Sequence, residues 1–290
     1  MFLNLCLHGG EEYLPEEKLT SNLSQAYTLN LNQPVWQIRF DAEAGLIAVE
    51  CRDAEVLQVS YWVFEAATGA VLLHNYTPTN SWWASLADIK AGLLFLHQMG
   101  AKEISKPAGL VAVGVADGKI KWQRSEVSFY GLTQNGLFAR PLTEETTALI
   151  GLNFETGSTT GRAFSLHEIT GRLENFQAER LKQMQVPAHY PVNNNNFEDL
   201  SRFIFLKTGL ATEKAIDYLE TQVSLIIGFY PVLPNHEKTY RVAVFNRQGV
   251  LLGQEELGKN LTGMGTDNFF YFREKLFLIK NKKSLLAFGF

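Results

Sequence analysis

Four aspartates, Asp41, Asp88, Asp199 and Asp267, fall near the ends of segments that read as strands. Two carboxylates facing each other across about 5–10 Å could hydrolyse a glycoside, one protonating the leaving oxygen and one activating water or attacking the sugar. Aspartate is also a common turn residue, because its side chain accepts backbone N–H groups just ahead of it. The turn reading covers all four, so a carbohydrate hydrolase using them at a central funnel is the alternative and not the leading expectation. The six histidines, His8, His74, His97, His167, His189 and His236, include no i, i+2 or i, i+4 pair to seat a metal. The two cysteines, Cys6 and Cys51, are too few for a disulfide framework or a four-ligand zinc site. The sequence holds no G-x-S-x-G, H-E-x-x-H or P-loop pattern, and no dinucleotide fingerprint. No metal and no cofactor are expected.

A second set suits recognition better than catalysis. Asn80, Trp82, His189, Tyr190, Asn194 and Asp267 fall in segments expected on one loop face. Aromatic side chains among Asn and His fit contact with a protein or a small ligand. A third set, Glu50, His97, Asn153, Phe229 and Lys280, ends or nearly ends successive apolar runs. It reads as strands emerging into solvent.

The charge balance narrows the partners. Lys and Arg number 26 against 30 Asp and Glu, a net charge of -4, so no polyanion-binding character is evident. The densest basic stretch, Lys280, Lys282 and Lys283, alternates with other residues as a solvated strand does. The longest apolar stretch, Val223 to Leu233, contains Pro231 and is shorter than the ~20 residues of a membrane helix. The first residues carry neither a basic region nor a small-residue cleavage site. The expectation is a cytoplasmic monomer that binds neither nucleic acid nor membrane.

The elements that must position these residues come from an internal repeat. Turns ending in glycine recur at Thr68-Gly69, Asp117-Gly118, Thr170-Gly171 and Gln248-Gly249, each between alternating apolar segments. Glycine supplies the positive φ of a tight hairpin, and alternation of branched and aromatic residues fits half-buried strands. Upstream of each lies a nearly continuous apolar run, starting at Leu46, Leu93, Leu149 and Leu225, with a fifth at Leu276. Such runs fit strands buried on both faces. Further short strands precede most runs: VWQIRF, WWASLA, SRFIFLK and NFFYFRE. The spacing predicts an all-β β-propeller of about five four-stranded blades, with six as the alternative, in one domain over 1–290. The blades are placed at 35–76, 82–125, 127–180, 197–257 and 267–290. The chain ends after a third strand of the last unit, and AYTLNL at 26–31 has no unit of its own. That segment is expected to complete the last blade and close the ring. Gln183 to Asp199 reads as a polar loop, Thr212 to Glu220 as one or two helical turns, and Val127 to Arg140 as a region with a hairpin of its own.

At the turns the sequence resembles the pyrroloquinoline-quinone-type propeller repeat. GLVAVGVADGKIKWQ matches best, with Asp117, Gly118 and Trp122 at the characteristic places, and Thr68-Gly69 shows the same turn. The third and fourth units carry Asn175 and Gly253 near the position of the tryptophan. The resemblance implies a fold and no quinone, since the extra cofactor-binding residues of quinoproteins are not seen. In overall character the chain is also similar to an uncharacterised family of Bacteroidetes proteins known only as a domain of unknown function.

Overall fold

A computed structural model describes residues 23–79, 81–99, 107–142, 147–234, 237–259 and 268–290. Asn80 and Asp267 of the expected sites lie outside the described residues, as do Cys6, His8 and His236.

After β1 (Ser24–Asn30) the chain forms five antiparallel sheets. Sheet 1 holds β2 (Val35–Asp41), β3 (Leu46–Asp53), β4 (Gln58–Glu65) and β5 (Val71–Tyr76). Sheet 2 holds β6 (Ala84–Lys90), β7 (Leu93–Met99), β8 (Pro107–Gly114) and β9 (Ile120–Arg124). Sheet 3 holds β10 (Val127–Leu132), β11 (Leu137–Pro141), β12 (Leu149–Leu152) and β13 (Thr159–Phe164). Helix α1 (Leu166–Gln183) follows, leading into β14 (Met184–Gln185). Sheet 4 comprises β15 (Ala188–Pro191), then, beyond helix α2 (Phe197–Thr208), β16 (Thr212–Glu220), β17 (Ser224–Pro231), β18 (Tyr240–Asn246) and β19 (Leu251–Gly258). Sheet 5 is built from β20 (Phe269–Phe272), β21 (Lys275–Lys280) and β22 (Ser284–Gly289). Each sheet is a meander whose first full strand is innermost, the arrangement of a propeller blade.

The expected completion of the last sheet is present: β1 pairs antiparallel with β22 from Ser24↔Gly289 to Asn30↔Ser284. The strand covers an edge whose N–H and C=O groups would otherwise be open to a second chain. The stretch that follows α1 does the same at the inner edges, where β14 pairs with β20 and β15 with β16.

The turn glycines serve both backbone and packing. Gly69, Gly118, Gly157 and Gly249 all hold positive φ, between +64° and +75°. At Gly69 a Cβ would meet the Tyr27 ring of β1 at 2.6 Å, and at Gly157 the Trp122 ring of β9 at 2.5 Å. Gly118 likewise faces Leu73 and Tyr76 of β5. Each of these turns is thus seated under the outer strand of the neighbouring sheet. Two ring donors fix the seat: Tyr27 Oη donates to Ala66 O at 2.7 Å, and Trp122 Nε1 to Phe154 O at 2.7 Å. The fourth such turn breaks the series, since Gly249 faces Phe203 and Lys207 of α2 in place of a sheet.

Buried side chains tell the same story. Continuous apolar clusters join sheet 1 to sheet 2, sheet 2 to sheet 3, sheet 1 to sheet 5, and sheet 5 to sheet 4. Among the described residues none joins sheet 3 to sheet 4. There Ile169 and Leu173 of α1 pack on Phe138 and Leu149 of sheet 3, and Phe197 and Ile204 of α2 pack on Ile227 and Phe245 of sheet 4. The sheets follow one another as 3-2-1-5-4, and helices cover the two terminal faces.

Four expectations are corrected. The stretch around Thr170-Gly171 is not a hairpin but the middle of α1. Ser165 caps the helix, its hydroxyl accepting from Glu168 N while the Glu168 carboxylate accepts from Ser165 N, a reciprocal capping box. The glycine turn of sheet 3 is Thr156-Gly157, which makes the run at Leu149 the third strand and Val127 to Pro141 the first two. Sheet 3 therefore ends at Phe164 and not near 180. Ser201 to Lys207 is helical, because Leu200, Phe203 and Ile204 fall on one helix face against sheet 4 and Gly209 ends the helix at φ +72°. Thr212 to Glu220 is a strand, paired on both sides with β15 and β17.

Candidate functional site

Helix α1 does more than cover sheet 3. Its second half lies across the space lined by the innermost strands of the first three sheets and ends at sheet 5 through the pairing Met184↔Phe272. Helical periodicity gives it two adjacent stripes. Arg172, Asn175, Phe176, Glu179 and Gln183 border a cavity of about 490 Å³, closed on the other side by the turns at Asp41–Glu43 and Thr133–Asn135. Leu173, Gln177 and Leu181 border a second cavity of about 420 Å³, whose far walls are Ile38–Phe40, Ala87–Asp88 and Phe129–Leu132. The first lies at the end of the array where the inner strands finish, the second further along those strands.

Arg180 lines both cavities and anchors the helix between them. Its Nη1 donates to Asp88 Oδ2 and its Nη2 to Asp88 Oδ1, each at 2.7 Å, and Nη2 also reaches Phe40 O. Paired donors in this planar fork fit a carboxylate well, and such pairs are among the stronger hydrogen bonds. Both side chains are largely withdrawn from water, at 13% and 10% exposure.

The expected carboxylates are accounted for individually. Asp88 is held by Arg180. Asp41, at 2% exposure, accepts Glu43 N and Ala44 N on Oδ1 and Ala91 N on Oδ2, tying the first turn of sheet 1 to that of sheet 2. Asp199 is exposed in the first turn of α2, on sheet 4. Asp41 and Asp88, which line the cavities beside α1, are thus committed to fixed donors, Asp41 to turn N–H groups with Lys90 Nζ at 3.8 Å and Asp88 to an ion pair.

The expected recognition residues stand on different sheets. Trp82 is half-buried ahead of β6, its ring 5.3 Å from the Arg52 guanidinium, which also lies 5.4 Å from the Trp36 ring. Trp36 itself is 66% exposed. His189 and Tyr190 lie on β15, where His189 Nδ1 meets Asp217 Oδ1 at 2.7 Å. Asp217 also accepts the Tyr240 hydroxyl, and burial raises the pKa of that phenol well above its ordinary value. Asn194 accepts Asn196 N, so the asparagine run is a turn that leads into α2.

The column of run-ending residues does not simply emerge into solvent. Glu50 is fully buried and bridges two sheets, accepting Arg52 Nε at 2.5 Å, Gln37 Nε2 at 2.9 Å and Leu86 N at 2.5 Å. Phe229 is core, and Asn153 caps the turn at Gly157 by accepting Glu155 N and Thr156 N. His97 stacks edge-on to Phe129 at 5.7 Å, and its Nδ1 has no partner among the described residues. Burial first, and the Arg39 charge second, hold its pKa below the ordinary value. Lys280 donates to Glu255.

Residues 40–122 match a domain of unknown function (DUF4905). No curated protein matches the chain. Among solved structures it is similar to BamB from Moraxella catarrhalis, at 10% identity over 92% of this chain and 100% of that one, with a TM-score of 0.27. The Dos1 propeller is similar at 8% identity over 92% and 95%, with a TM-score of 0.36. An endo-arabinase from Bacteroides thetaiotaomicron is similar at 9% identity over 91% and 95%, with a TM-score of 0.25. Likeness at this level says nothing of a ligand or an activity. Among the described residues, no helix is long and apolar enough to cross a membrane, and no three His, Cys, Asp or Glu residues are grouped to hold a metal.

Proposed function

We propose that this chain is a non-catalytic binding module on an interrupted five-bladed propeller, taking its ligand or partner at the funnel that α1 occupies. The observation that carries the reading is the Arg180–Asp88 pair, which anchors a helix where a funnel hydrolase would need open space. A glycosidase of this shape needs one carboxylic acid and one carboxylate free to face the sugar. Here Asp41 and Asp88 are engaged by donors of the fold itself. What remains around α1 is two pockets in the size range of small-molecule sites, roughly 300–1,000 Å³. In this reading β1 is the clasp between the first and last sheets, and the chain acts as a cytoplasmic monomer without a cofactor.

Hydrolysis of a panel of aryl glycosides by the wild type and by Asp88→Asn tests it. Release of aryl alcohol at the buffer rate by both proteins is expected. Turnover that the wild type supports and Asp88→Asn loses would overturn the reading in favour of a carbohydrate hydrolase.

A further inference from the structure

We propose that the 420 Å³ cavity between α1 and the inner strands is a binding site for a small amphipathic carboxylate, an aryl- or alkyl-substituted acid whose carboxylate seats on Arg39. The proposal deepens the binding-module reading and rests on it.

The charge balance of the two cavities separates them. Around the outer one the acids Asp41, Glu43 and Glu179 match the bases Lys90, Arg172 and Arg180. Around the inner one there are two guanidiniums, Arg39 and Arg180, against the single carboxylate of Asp88. Arg180 and Asp88 neutralise each other, so one positive charge is left, and it belongs to Arg39.

Arg39 is half-buried, and its hydrogen bonds all end on uncharged oxygens. Nε donates to Ala87 O at 3.1 Å, Nη1 to Ile38 O at 3.0 Å and Nη2 to Gln37 Oε1 at 3.2 Å. No carboxylate lies within ion-pairing distance of it among the described residues. These contacts hold the guanidinium in place without neutralising it. A guanidinium carries five N–H donors, so one on each terminal nitrogen is unspent, the number a carboxylate takes in a forked pair. The charge is felt nearby, since after burial it is the second cause that holds the His97 pKa below its ordinary value. Withdrawing a charge from water is costly unless it is paired, which makes this position favourable for an anion.

The rest of the wall selects what the anion is attached to. Phe129, Tyr130, Leu132 and Leu181 give the cavity an aromatic and aliphatic surface. A phosphate would leave charged oxygens, and a sugar acid its hydroxyls, facing those side chains. A compact apolar group bearing one carboxylate satisfies both halves of the site.

The test uses 4-phenylbutyrate and its uncharged amide, 4-phenylbutanamide, titrated by calorimetry into the full chain and into Arg39→Met, Arg39→Lys and Arg172→Ala. The acid should bind at least tenfold more tightly than the amide. Arg39→Met should lose at least tenfold in affinity for the acid, Arg39→Lys should recover part of it, and Arg172→Ala, which alters only the outer cavity, should bind as the wild type does. Should Arg39→Met fail to fold, the acid–amide comparison on the wild type decides alone. Equal affinity for acid and amide, undiminished binding by a folded Arg39→Met, or no binding of the acid overturns the site. None of these results touches the binding-module reading, which fails only on glycoside turnover.

Discussion

Arg180 grips Asp88 across 92 residues of chain, from the last turn of α1 to the inner strand of sheet 2. The pair spans the cavity boundary and holds the helix against strands to which it is otherwise bound by few apolar side chains, Ile169 being its one buried residue among those described. Removing one partner strands a charge in a poorly hydrated place. Arg180→Ala should lower unfolding free energy by about 3 kcal/mol, as expected for a broken buried pair. In a double-mutant cycle with Asp88→Ala by urea denaturation, the two losses should fall short of additivity by at least ~1 kcal/mol. Additive losses would mean that the pair does not hold the helix.

Gly157 and Gly92 separate a packing effect from a backbone effect. Both have positive φ, at +65° and +70°, but only Gly157 faces a ring, Trp122, while nothing lies within 4 Å of a Cβ at Gly92. Gly92→Ala should cost about 1 kcal/mol for the left-handed backbone alone. Gly157→Ala should cost more, about 2–3 kcal/mol, because the indole must also leave its seat and its bond to Phe154 O. Thermal melts of the two variants side by side check the order.

His97 gives the stability a pH dependence whose sign follows from burial. Its pKa is held below the ordinary 6.5 in the folded chain, by burial first and by Arg39 second. The unfolded chain therefore takes up a proton more readily. The contribution is complete above the unfolded value and is lost as pH falls from about 6.5 toward the lower folded value. Melting temperatures measured between pH 7.5 and 5 should fall more for the wild type than for His97→Gln. Parallel curves would show that His97 is not neutral through burial.

Strand β1 should be needed for solubility as well as stability. Tyr27→Phe removes the bond to Ala66 O and should cost about 1 kcal/mol. A chain starting at Leu31 leaves the edge of β22 unpaired, and size-exclusion chromatography should show oligomers that the full chain does not form. A monodisperse truncated protein would mean that the edge is protected in another way.

The sequence by itself determined four of the five sheets, or most of each. Turn glycines at 69, 118 and 249 are read from local chemistry, since only glycine takes a positive φ without a steric penalty. Apolar runs such as Leu46–Cys51 name their own burial, and the segment 26–31, left without a unit, was expected to complete the last sheet, as it does. Residues 163–183 misled because Thr170-Gly171 imitates the turn of the repeat. The counter-signal was Ser165-x-x-Glu168, a capping box spanning four residues, followed by Leu173 and Phe176 at helical spacing. Only tertiary structure decided the rest. That Ser201–Lys207 is helical depends on the apolar face of sheet 4, which no neighbouring sheet covers among the described residues. That Asp88 is an ion-pair partner and Arg39 an unneutralised cation depends on which charges α1 brings against the inner strands. Local pattern carries the first kind of information because it is set by neighbouring dihedrals and side chains. The second kind comes from residues some 90 positions apart, as Asp88 and Arg180 are, which become neighbours only when the sheets assemble.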